Sequence, residues 1–187
     1  LGVITHSSYS RALATEQGYG AFAQDWTVIP HARQVRIPSL RDQTVDEPGF
    51  MLCSFGIMGR TKASDRLVSC WAKSKMAKNK DSRLVFVGSR DGAAFGDEVD
   101  ALIDKLGLSD RVLITGRLCP EEFQAYLGKA DGAAQLRQLS RGETSGTVLD
   151  CLAHGIPTIV NANGSMAEID PGAVMLLPDN FTDDDLI

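Results

Sequence analysis

The side chains most able to do chemistry are concentrated in Arg137-Gln138-Leu139-Ser140-Arg141-Gly142-Glu143-Thr144-Ser145-Gly146-Thr147-Val148-Leu149-Asp150. This stretch sets a polar, glycine-flanked turn directly before an apolar helical run. The first turn of a helix exposes unpaired N–H groups and a partial positive charge, so Thr144, Ser145, Gly146 and Thr147 can grip a phosphate through main chain and hydroxyls. The plainer reading makes Ser145 an ordinary helix cap. Asp150 follows one turn into the helix, among Val148, Leu149, Cys151 and Leu152. A carboxylate on a largely buried helix needs a partner, and one that faces the turn can accept both hydroxyls of a ribose.

Cations for such an anion come from Arg60 and Lys62, in the strand exit Gly56-Ile57-Met58-Gly59-Arg60-Thr61-Lys62. Gly88-Ser89-Arg90-Asp91-Gly92 and Gly116-Arg117-Leu118 are two more glycine-bearing exits. In an open parallel sheet all three fall at the carboxyl edge, where ligands bind, although glycines also simply end strands. None is a P-loop or a GxGxxG fingerprint, and without a GxSxG elbow no hydrolase triad is expected. His154 before Gly155 reads as a helix C-terminal residue, while His6 and His31 carry no role that the sequence assigns. Cys53, Cys70, Cys119 and Cys151 form no CxxC pair and read as reduced, buried thiols of a cytosolic protein. With the histidines they offer no usable short spacing for zinc, so no metal site is expected.

The elements that must position these residues start at Phe50. Short apolar runs at 50–56, 84–88, 112–116, 132–136, 158–160 and 174–177 alternate with amphipathic stretches at 62–77, 96–106, 120–128 and 146–154. That order predicts an α/β fold, a Rossmann-like parallel sheet with helices on both faces, whose strands are buried on both sides. Gly107 and Gly155 suit left-handed helix ends, and Pro120 suits a helix start. Upstream, 2–5 and 26–30 read as short strands around a helix at 10–16, too little for a domain. Residues 34–49, with Pro38, Pro48 and Gly49, read as a linker, so residues 1–33 are expected to belong to a neighbouring lobe. Both ends of the chain look cut.

Composition sets the outer bounds. The chain has 187 residues, 43% hydrophobic and 23% charged, a net charge of -5 and a pI near 5.2, with a mean hydropathy of -0.08. This excludes collagen, a disordered tail and an apolar membrane span, and it leaves no global basic field for nucleic acid. Residues 1–49 carry 4 basic and 5 acidic groups and residues 171–187 carry 4 acidic and none basic, so the middle holds 15 of each sign. A local cationic pocket is compatible with that balance.

The run Gly146-Thr147-Val148-Leu149-Asp150-Cys151-Leu152-Ala153-His154-Gly155-Ile156-Pro157-Thr158-Ile159-Val160, with Asn163-Gly164-Ser165 and Glu168 after it, resembles the donor-binding motif of the retaining GT-B glycosyltransferases of group one, family four. The whole order of elements from 50 to 177 supports the likeness, including Lys62 and the Ala130-Asp131 step. The resemblance implies that residues 50–187 are the C-terminal, donor-binding lobe, truncated at its end. Residues 1–33 would then be a remnant of the acceptor lobe, with 34–49 as the interlobe linker and the rest of the N-terminal lobe outside this chain.

By that resemblance the ligand is a UDP- or GDP-sugar and the acceptor a glycan or lipid-linked molecule, with no cofactor, no metal and no nucleic acid. Lys62 matches the lysine on the donor diphosphate. The arginine that usually joins it falls on Ile57, so this contact is missing or comes from Arg60. Asp150 takes the place of the motif's second glutamate, the ribose ligand. The first glutamate normally stands eight positions earlier, on Gly142 here, and Glu143, seven before Asp150, is expected to replace it as the catalytic residue near the transferred sugar. Thr144, Ser145, Gly146 and Thr147 would hold phosphate, and Arg117 and Leu118 would lie near the base. The implied activity is hexose transfer with retention, by a cytoplasmic enzyme in peripheral contact with a membrane, the fragment alone being nearly inactive. Two other readings remain open at this point: a GT-B nucleotide-sugar epimerase, and a non-catalytic nucleotide-binding module of the same fold.

Overall fold

The computed structural model describes residues 1–23, 25–35 and 49–187. The apolar runs pair as expected. β3 (Met51–Phe55), β4 (Arg83–Val87), β5 (Val112–Ile114), β6 (Gly132–Gln135), β7 (Thr158–Asn161) and β8 (Met175–Leu177) form one sheet in the order β5-β4-β3-β6-β7-β8, with every neighbouring pair parallel. The crossovers run through α2 (Ser64–Lys73), α3 (Ala93–Lys105), α4 (Pro120–Lys129) and α5 (Gly146–Ala153), and α6 (Asp183–Leu186) follows β8.

Alternate strand residues feed two large cores, and Val160 of β7 joins Val148, Met166 and Val174 in a smaller third. Leu52, Leu84, Phe86 and Ala134 pack with Leu67, Val68 and Trp71 of α2 and with Phe95, Val99 and Ile103 of α3. Cys53, Phe55, Val85, Val87 and Ala133 pack on the other face with Leu127 of α4 and Cys151 of α5. Helices on both faces are therefore shown. Burial of every strand on both faces is not: β3, β4, β6 and β7 are almost wholly buried, but the edge strands leave Leu113 46% and Met175 61% exposed. An edge strand has a neighbour on one side only, and helices cover it less completely.

The helix expected over 62–77 is broken into three. Arg60–Lys62 is a 3-10 turn, α2 covers Ser64–Lys73, and Met76–Lys78 is a second 3-10 turn. The break comes at Ala63, with φ 51° and ψ 39°, the single non-glycine residue at positive φ among the described residues. An L-residue avoids this region, and alanine tolerates it best because its side chain ends at Cβ. Gly107 (φ 66°) and Gly155 (φ 65°) take the left-handed helix ends the sequence called for. Cys53, Cys70 and Cys151 are buried free thiols, whereas Cys119 is exposed at the start of α4.

β1 (Gly2–Thr5), α1 (Ser8–Glu16) and β2 (Asp25–Val28) make a separate two-stranded parallel unit. α1 buries none of its residues. It meets the larger lobe through hydrogen bonds, the Glu168 carboxylate accepting the backbone N–H groups of Ser8 and Tyr9 and Ser10 Oγ donating to the Gly142 carbonyl, and through Tyr9 and Leu13, which lie over Gly164 and Gly142. Most of the linker expected at 34–49 lies outside the described residues.

Candidate functional site

Counting β3 as the first strand of the large sheet gives the order 3-2-1-4-5-6, which reverses between β3 and β6. A crevice opens at the carboxyl end of strands where such an order reverses. The chain leaves β3 through Gly56 at φ 92°. The loop after it is pinned: Met58 is 1% exposed, its N–H donates to the Ser89 carbonyl at 2.8 Å, and Ser64 Oγ accepts the Gly59 N–H at 3.2 Å. The left-handed Ala63 then lets the Lys62 side chain fold back onto the sheet edge, where Nζ donates to the Phe55 carbonyl at 3.0 Å.

Lys62 is short of space and of water. A Cβ on Gly56 would stand 2.6 Å from Lys62 Nζ and 3.3 Å from Thr147 Cγ2, so Gly56, Lys62 and Thr147 form one floor. Burial, and then the neighbouring charge of Arg137, lower the Lys62 ammonium from 10.5 to about 8. Arg137 arrives from the end of β6. Its backbone is clasped by Asn161, whose Oδ1 accepts the Arg137 N–H and whose Nδ2 donates to the Arg137 carbonyl, both at 2.8 Å.

α5 closes the crevice. Ser145 stands at its N-cap position but makes no side-chain cap, and its hydroxyl lies 3.4 Å from that of Thr147 instead. The ordinary capping reading of Ser145 therefore fails, and the first amides of α5 keep no side-chain partner at the cap. Thr144 Oγ1 is buried and also without a hydrogen-bond partner. Glu143 sits at the mouth. Its carboxylate accepts the Arg141 N–H at 2.7 Å and lies 3.5 Å from Arg137 Nη1, and its carbonyl accepts Ser165 Oγ at 2.8 Å. Asp150 does have the partner its position demands, Arg33, whose Nε donates to Oδ1 at 2.8 Å.

The structure thus gathers Lys62, Thr144, Ser145, Gly146, Thr147, Asp150 and Glu143 around α5 and the β3 exit. Arg60 does not join them. Its guanidinium pairs with Glu98 and stacks over Phe95 at 4.8 Å, on the α3 side of the loop. Ile57 is 56% exposed, so the usual arginine position offers no cation. Arg117 is exposed beyond β5, and Leu118 packs against the core under α4. His154 does end α5: its Nδ1 meets the Asp150 carbonyl at 2.8 Å and its Nε2 meets Gln124 Oε1 at 3.1 Å. Arg33 is the residue that sequence reasoning missed, since nothing in its neighbourhood marks it as a partner for a helix 117 positions away. Beyond Arg137 lies a cavity of about 310 Å3, also lined by Arg66, Gln138, Asn163, Asp179 and Phe181. Among the described residues no group of three or more His, Cys, Asp or Glu could hold a metal ion, and no helix is long and apolar enough to cross a membrane.

The family model for glycosyl transferases group 1 matches residues 37–172. A comparison with curated proteins gave no match. Among solved structures, the glycosyltransferase from Rickettsia africae ESF-5 is 17% identical, with a TM-score of 0.79 over 99% of this chain and 51% of its own. Anabaena HepE in complex with UDP and glucose is 21% identical, with a TM-score of 0.75 over 98% of this chain and 51% of its own. The C-terminal domain of the group 1 family protein LpcC from Francisella tularensis is 16% identical, with a TM-score of 0.65 over 82% of this chain and 80% of its own. The chain thus spans about half the length of the first two proteins. At such identities the likeness speaks for the fold, and the chemistry must be argued from the site.

Proposed function

Because this chain belongs to the glycosyl transferases group 1 and folds as a Rossmann-like lobe of the GT-B type, we propose that it is the donor-binding half of a hexosyltransferase. It takes a sugar from a UDP- or GDP-sugar and transfers it with retention to a glycan or lipid-linked acceptor. The observation that carries this reading is the half-desolvated Lys62 ammonium beside the uncapped start of α5. A cation and a set of unpaired amides directed at one crevice suit a diphosphate. HepE, whose structures hold UDP and UDP-glucose, lends the reading support by analogy of fold.

In this reading Lys62 and the amides and hydroxyls of Thr144, Ser145, Gly146 and Thr147 bind the diphosphate and stabilise the charge that grows on it as the sugar departs. Asp150 accepts ribose hydroxyls through its carboxylate. Glu143, held at the mouth by Arg137 and the Arg141 amide, faces the transferred sugar. Arg117 and Leu118 lie at the strand exit assigned to the base. No step requires a metal. Residues 1–33 belong to the acceptor lobe, the remainder of which completes the enzyme, so transfer requires the full two-lobed protein. The cytoplasm is its compartment, with peripheral contact at a membrane where the acceptor is lipid-linked.

The test is calorimetry of this chain with UDP, GDP and their hexose conjugates. One of the two diphosphates is expected to bind, and Lys62→Ala and Asp150→Ala are each expected to weaken it by about ten- to a hundredfold, the worth of a charge-assisted hydrogen bond. No binding of either diphosphate at millimolar concentration would sink the proposal.

A further inference from the structure

Arg33 belongs to the N-terminal unit by sequence, yet its side chain reaches α5. Nε donates to Asp150 Oδ1 at 2.8 Å, and Nη2 lies 2.9 Å from the point where a Cβ on Gly146 would stand. The guanidinium therefore spans a full turn of α5, from its first residue to Asp150, and any side chain at position 146 would displace it. A cation near a helix start is repelled by the helix dipole. Its location is set by the Asp150 carboxylate and not by the helix.

The geometry leaves half of that carboxylate unused. Arg33 engages Oδ1 alone, and among the described residues Oδ2 has no hydrogen-bond partner. Aspartate is also one methylene shorter than the glutamate found at this place in the motif the sequence resembles, so its orientation matters more. We propose that Arg33 is a positioning residue of the nucleotide site: it fixes the short Asp150 side chain so that Oδ2 presents itself to the ribose hydroxyls. This rests on the donor-binding reading above and adds to it a residue from the N-terminal unit. Arg33 also supplies the counter-charge that a carboxylate on α5 requires.

The experiment compares UDP and GDP with their 2′,3′-dideoxy forms by calorimetry, on the unmodified chain and on Arg33→Ala, Arg33→Gln, Asp150→Asn and the Arg33→Ala/Asp150→Asn pair. Thermal unfolding of each variant checks the fold. Arg33 is a third exposed and packs in neither main core, so its replacement spares both. Arg33→Ala and Arg33→Gln are expected to weaken the ribonucleotide that binds by about tenfold, the worth of one hydrogen bond to a charged group, and to leave its dideoxy form unchanged. In the Asp150→Asn background Arg33→Ala is expected to add nothing. Equal loss for both forms, no loss, or tighter ribonucleotide binding would each overturn the proposal, the last by making Arg33 a competitor for Asp150. Failure of the unmodified chain to bind any of the four nucleotides would overturn the donor-binding reading and this one together, a result distinct from binding that ignores Arg33.

Discussion

The perturbation that tests the site most directly is removal of the Lys62 charge, by pH or by substitution. Burial beside Arg137 brings its ammonium down from 10.5 to about 8. At pH 7 the lysine is charged in both folded and unfolded chains, and a lowering of this size corresponds to about 3 kcal/mol of stability forgone. Between pH 8 and 10.5 the unfolded chain binds the proton that the folded chain has released, so the Lys62 contribution to stability rises with pH across that window. Cys53 and Cys151, pushed up to about 12, act in the opposite direction above pH 9, because the folded chain keeps protons the unfolded chain loses. The difference between the unmodified chain and Lys62→Met isolates the lysine. Lys62→Met is expected to be more stable at pH 7 by about 2 kcal/mol, after loss of the hydrogen bond to Phe55, with the gap closing toward pH 10. Nucleotide binding should behave inversely. Diphosphate oxygens hold the ammonium charged, so the affinity of the unmodified chain for UDP or GDP falls about tenfold for each pH unit above 8, well after the terminal phosphate has completed its own ionisation near pH 6. Lys62→Met binds weakly at every pH. Denaturant unfolding and calorimetry from pH 7 to 9.5 measure both effects. Affinity that stays flat from pH 7 to 9.5 in the unmodified chain, or a Lys62→Met protein less stable at pH 7, would refute the reasoning.

Three further outcomes are expected. Gly56→Ala forces a Cβ to within 2.6 Å of Lys62 Nζ at φ 92°, so unfolding should show a loss of about 1–3 kcal/mol and calorimetry a weaker diphosphate. Phe55→Ala empties a side chain that is 0% exposed and packs edge-on to Phe123, and should cost about 3–5 kcal/mol in denaturant unfolding. Chelation with EDTA should leave nucleotide affinity unchanged under the proposal that Lys62 and α5 hold the diphosphate; a chelator-sensitive affinity would contradict that.

Much of the sheet could be read from the chain. Leu84, Val85, Phe86 and Val87 are consecutive apolar residues because both sheet faces are covered, and a run of that kind leaves little choice of element. The 62–77 helix was overdrawn because apolar periodicity does not report a single left-handed residue, and Ala63 carries no sequence mark of the kind glycine does. Lys62, the proposed diphosphate cation, and the polar turn before α5 were visible as residue types at strand and helix ends. Which arginine stands beside Lys62 was not. Arg60 is the nearer arginine to Lys62 in sequence, but the pinned loop turns it toward Glu98, and Arg137 approaches from another strand. Whether Ser145 caps its helix depended on one side-chain torsion, and the pairing of Arg33 with Asp150 depended on the docking of two units. Neither has a local signature.

The contact between α1 and the larger lobe has a thermodynamic consequence. Glu168 holds two amides of a helix that buries none of its residues, and Ser10 and Arg33 add hydrogen bonds to Gly142 and Asp150. Parting these groups exchanges protein partners for water at about 0.5–1.5 kcal/mol each, and it uncovers the Tyr9 and Leu13 side chains that lie over Gly164 and Gly142. Opening such a junction uncovers far less apolar surface than opening either large core, so it is expected to carry a smaller heat-capacity change, and the Arg33–Asp150 pair makes it sensitive to salt. Because no residue of the N-terminal unit belongs to the apolar clusters of the large sheet, parting the two would leave the packing of that sheet intact.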